Sequence, residues 1–80
     1  MKANNAYRLL HRRGGRAPSR WASPERFDQI EIVDIALGET VLLWDLPSRE
    51  APATLRQLRA DLAQLEPDVF MAKWRRWQVA

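Results

Sequence analysis

The stretch that decides the fold is Gln29–Leu46, QIEIVDIALGETVLLWDL. Residues 29–35 are rich in β-branched side chains and residues 39–46 carry Val, Leu and Trp, so both segments read as strands. Between them Gly38 suits the positive φ of a short hairpin closed by a type I turn and a bulge. The sequence therefore predicts a β-hairpin. Its alternation slips at Ile32-Val33, which requires either burial on both faces or a bulge that re-aims the strand. Ile30, Ile32, Val41 and Leu43 form one apolar set. Val33, Ile35, Leu42, Trp44 and Leu46 form the other.

Working downstream, Pro47 cannot donate to a ladder and ends the second strand. Ser48 is the expected N-cap of a helix, with Glu50 in its first turn and Pro52 tolerated there. Leu55, Leu58, Leu62 and Leu65 follow at helical spacing, and Ala51 extends the same apolar stripe. Glu66-Pro67-Asp68 interrupts this helix, and Asp68 can cap the next. A last helix over about 69–78 places Phe70, Trp74 and Trp77 on one face. Leu58, Leu62 and Trp74 are expected to be buried, with the leucine seam packed on that aromatic face.

Upstream the chemistry changes. Residues 1–26 hold seven basic side chains against Glu25 alone, a net +6, whereas residues 27–80 carry −3. The large apolar residues before Phe27 are Tyr7, Leu9, Leu10 and Trp21, and Gly14-Gly15, Pro18 and Pro24 supply linker chemistry. Such a segment buries too little surface to offset its chain entropy. Residues 1–23 are therefore expected as a flexible basic arm, and 24–80 as a small α+β domain of order ββαα.

Several functions are disfavoured at once. The chain has no cysteine, so disulfides, thiolate metal sites and cysteine nucleophiles are absent. Its longest apolar run, Val41–Trp44, falls far short of the roughly 20 residues of a bilayer crossing, and no signal peptide is evident. A cytoplasmic location and no membrane partner are expected. His11, the single histidine, sits in a cationic run and reads as a solvated tail residue. The carboxylates show no metal-ligand spacing and no catalytic pairing, and Gly14-Gly15-Arg16 is no phosphate-binding loop. The expectation is no enzyme, no metal and no cofactor.

What remains is binding. Arg8, Arg12, Arg13, Arg16 and Arg20 are candidate contacts to nucleic-acid phosphates or to an acidic protein partner, and Tyr7 and Trp21 add stacking surfaces. The four tryptophans are most simply core, although Trp and Arg are also enriched at interface hot spots. A basic membrane-surface helix over residues 71–77 is the weakest reading. The leading expectation is a small non-enzymatic protein–protein interaction module that self-associates or docks on a larger protein, with the arginine-rich arm as auxiliary contact. The alternative is a nucleic-acid-binding protein whose arm grips phosphates. Because the hairpin is apolar on both faces and two helices cover one, a homodimer is expected, with Ile30, Ile32, Val41, Leu43 and Trp44 as candidate interface.

Overall fold

In the computed structural model, which describes residues 1–15 and 26–77, the hairpin forms around Gly38. This glycine takes φ +70°, and its N–H donates to the Asp34 carbonyl at 2.7 Å. The two strands run Phe27–Asp34 and Glu39–Pro47. Ile30 pairs with Trp44 and Ile32 with Leu42, but Val33 pairs with Thr40, so Val41 is the extra residue of a bulge. The slip at Ile32-Val33 is that bulge. It lets Val41 as well as Leu42 pack on the core, and it puts Ile30, Ile32, Leu42 and Trp44 on one face. The two apolar sets read from alternation alone are thereby redrawn.

A third strand joins them. Tyr7–Gly15 pairs antiparallel with the first hairpin strand, Leu9 opposite Ile32 and His11 opposite Ile30. The chain thus runs β1 (Tyr7–Gly15), β2 (Phe27–Asp34), β3 (Glu39–Pro47), α1 (Ala51–Gln64) and α2 (Pro67–Arg75), with sheet order β1-β2-β3. The α+β class stands, but its order is βββαα. Residues 7–15, expected as part of a flexible arm, form a strand, and residues before them are anchored too. Buried Ala3 donates its N–H to the Leu65 carbonyl at 2.8 Å, and Lys2 Nζ reaches the Gln64 carbonyl at 3.0 Å. A lysine at the carbonyl end of α1 also complements the helix dipole. The rest of the expected arm, residues 16–23, lies outside the described residues.

Both helices pack on the inner sheet face. Leu55, Leu58 and Leu62 from α1 meet Phe70, Met71 and Trp74 from α2, with Ile30, Ile32 and Leu42 beneath. Tyr7 stacks on Phe70 at 5.9 Å between centroids, so β1 belongs to the core as well as to the sheet. Trp44 meets Trp74 edge-on at 5.7 Å. The helix starts differ from expectation. The N-cap of α1 is Glu50, without a side-chain cap bond, because Ser48 turns its hydroxyl to Asp28 instead. Pro67, not Asp68, opens α2, and Asp68 sits in its first turn. Trp77 falls beyond α2 and is 64% exposed rather than packed on the leucine seam.

Candidate functional site

Asp28 organises one end of the sheet. Opposite it, β1 bulges: Arg12 pairs with Gln29 and Gly15 with Phe27, leaving Arg13 and Gly14 against the single Asp28. Gly14 adopts φ +63°, a conformation that suits glycine, and its N–H reaches Asp28 Oδ1 at 3.0 Å. From just beyond β3, the Ser48 hydroxyl donates to the same oxygen at 2.6 Å. His11, on the inner face of β1, places Nε2 2.6 Å from Asp28 Oδ2.

Asp28 is buried, yet its pKa is lowered from 3.8 to about 2. The Ser48 hydroxyl is the largest cause, followed by the Gly14 amide and His11, and together they outweigh the cost of burial. An ionised carboxylate can only accept, which assigns the shared proton to His11 Nε2. The histidine expected in a solvated tail is therefore part of a polar cluster. Its partner lies 17 residues away, beyond the reach of local sequence patterns.

Around this cluster opens a cleft of about 500 Å³ between the sheet end and residues 52–59 of α1. Arg13, Gly14 and Arg26 line it from the sheet, and Pro52, Leu55, Arg56 and Arg59 from the helix. Arg56 and Arg59 are three residues apart and share one flank of α1. None of the four guanidiniums has a carboxylate within ion-pair distance among the described residues. The carboxylate beside them, Asp28, is already committed to Ser48, Gly14 and His11. Among the described residues the cleft thus concentrates four guanidiniums without ion-pair partners beside the apolar surface of Leu55 and Pro52. Guanidiniums in such a setting match phosphate oxygens by paired N–H···O bonds.

The structure divides the arginines singled out in the sequence. Arg13 lines the cleft, whereas Arg8 and Arg12 sit on the opposite, outer sheet face, paired with Val33 and Gln29. Arg16 and Arg20 lie outside the described residues. Arg26, Arg56 and Arg59 were not among the candidates, and the one local signal for them is the three-residue spacing on α1. The candidate interface is divided as well. Ile30 and Ile32 are fully buried beneath the helices, and Val41 and Trp44 pack against the core. Leu43 alone of that set is exposed on the outer face.

His11, Asp28 and Ser48 do not form a nucleophile relay, because the serine proton points to the carboxylate and not to the imidazole. Among the described residues, no group of three His, Cys, Asp or Glu assembles to hold a metal, and no helix is long and apolar enough to cross a membrane. No protein-family model, curated protein or solved structure matches this chain.

Proposed function

We propose that this protein is a non-enzymatic nucleic-acid-binding module that grips the phosphate backbone in the arginine-lined cleft. The observation that carries the reading is the convergence of Arg13, Arg26, Arg56 and Arg59, without carboxylate partners among the described residues, on one concave surface. Salt-sensitive phosphate contacts supply most non-specific affinity for a polynucleotide, and a cleft of four guanidiniums concentrates them. A binding role rather than catalysis fits the polar cluster, in which Asp28 is saturated by donors and Ser48 has no base to take its proton. A cytoplasmic location belongs to the same proposal.

The test is affinity for a labelled oligonucleotide as a function of salt. Affinity should fall steeply as salt rises, with a log–log slope set by the number of phosphates neutralised. Arg56→Ala with Arg59→Ala should weaken binding about tenfold or more at low salt and flatten the slope by about two, roughly one for each arginine removed. Circular dichroism should be unchanged, since both side chains are exposed. No binding at low salt, or no effect of the substitutions, contradicts the proposal.

A second reading, the interaction module that pairs with another copy of itself, rests on the outer sheet face. There Leu10 and Leu43 are 40% and 42% exposed and flank Glu31 in one row. Arg12 and Asp45 flank Gln29 in the next. A two-fold axis parallel to the strands would set Leu10 over Leu43 and Arg12 over Asp45 of the second copy. It would also set Glu31 over its own counterpart, which ranks this reading second. Sedimentation at micromolar concentration should then give about twice the 9.3 kDa chain mass, and Leu43→Arg should give monomers. A monomeric wild type would dismiss it.

A further inference from the structure

On the other flank of α1 lies a second groove, of about 400 Å³, between α1 and the end of α2. Ala53, Thr54 and Gln57 form one wall and Lys73, Trp74 and Trp77 the other. Trp77 is the unusual member. It is 64% exposed, although a tryptophan costs more to leave in water than almost any other side chain. It is not loose: its ring lies 5.7 Å from that of Trp74, tilted by 37°. Trp74 is fixed in turn by Phe70 and Trp44 and by an Nε1–H bond to buried Asp61 at 2.9 Å.

Asp61 also receives Lys73 Nζ at 2.6 Å, which ties the two helices together behind the groove. The result is an exposed aromatic plane on a rigid support. Arg75 and Arg76 directly precede Trp77 in the chain, exposed and without a carboxylate partner among the described residues.

We propose that Trp77 is a stacking platform for an unpaired base, and that the polynucleotide held by the cleft is therefore single-stranded. This inference rests on the phosphate-binding reading of the cleft. An exposed aromatic face with Lys73 on the same wall and two arginines next to it in the chain suits sequence-tolerant binding of single strands, since every base has a π-face and every linkage a phosphate. The groove lies within the size range of pockets that enclose small ligands, about 300–1,000 Å³. Continuity with the cleft is the second support. One stretch of α1 presents Arg56 and Arg59 to the cleft and Ala53, Thr54 and Gln57 to the groove. A helix is only about 10 Å across. A single strand crossing it can leave phosphates among the arginines and lay a base on Trp77, whereas a base locked in a duplex stack cannot reach the ring.

The experiment compares a labelled oligothymidylate of about 15 nucleotides with a duplex of equal length, by fluorescence anisotropy at low salt, on the full chain. Wild type should prefer the single strand. Trp77→Ala should lower single-strand affinity about tenfold or more, on the scale of one lost base stack, and leave duplex affinity unchanged. Trp77→Phe should restore most of it. Circular dichroism should be the same for all three, because Trp77 is exposed. Equal affinity for both nucleic acids, unmoved by Trp77→Ala, overturns the stacking role while the cleft reading stands. Binding to neither overturns both and leaves Trp77 as a docking point for another protein.

Discussion

A chain that begins at residue 16 should fail to fold, as judged by loss of near-ultraviolet circular dichroism and of dispersed amide resonances. The deletion removes all of β1 and the anchored turn before it. With them go Tyr7 on Phe70, Leu9 opposite Ile32, and the Ala3 and Lys2 bonds to the end of α1. Burial of one such apolar side chain contributes about 1.5–3 kcal/mol. Half-buried Tyr7 and Leu9 with the methyl of Ala3 together reach about 3 kcal/mol, a large share of the roughly 5 kcal/mol at the lower end of small-domain stability. What remains is a two-stranded ribbon under two helices, with β2 turned into an exposed edge and Ile30 and Ile32 partly uncovered. A cooperatively folding truncated chain would return residues 1–15 to the status of an arm.

Asp28→Ala should cost about 3–5 kcal/mol, because several part-buried donors lose their acceptor at about 1–3 kcal/mol each. The substitution strands the Ser48 hydroxyl, the Gly14 amide and the His11 ring at once. It also releases the bulge that aims Arg13 into the cleft, so nucleic-acid affinity should fall along with stability. The pH dependence has a definite sign. Because the folded-state pKa of Asp28 lies below the ordinary 3.8, at about 2, its contribution is complete above pH 3.8. That contribution is lost as pH falls through 2. Urea midpoints of the wild type should therefore drop between pH 5 and pH 2 by more than those of Asp28→Asn. Parallel pH profiles would show that the carboxylate charge is not what the cluster uses, and an unfolding cost below about 1 kcal/mol would place Asp28 outside the structural core.

The hairpin, both helices and the buried leucines could be read from the chain because each is a local periodic pattern ended by a Gly or Pro. Gly38 answers to one φ requirement, and Leu55, Leu58 and Leu62 to one helical stripe. β1 carries a pattern as well: Tyr7, Leu9 and His11 point inward, while Arg8, Leu10 and Arg12 point outward. Composition hid it, since two of those six residues are arginines and an inward histidine has no obvious home. That home is Asp28, and only the fold supplies it. The bulge at Val41 moved the second apolar set for a similar reason. Alternation fixes faces only until one strand gains a residue over its partner. The cleft was the least legible feature. Arg13 and Arg56 are far apart in sequence and meet because β1 and the start of α1 converge on the same end of the sheet.

The most direct test of the account is a chemical-shift titration of the isotope-labelled full chain with the oligothymidylate at low salt. The amides of Gly14, Arg26, Ser48, Arg56 and Arg59 and the indole of Trp77 are predicted to shift together, at one ligand concentration. Shifts confined to Arg8, Leu10 and Leu43 on the outer sheet face, or none at all, would contradict it.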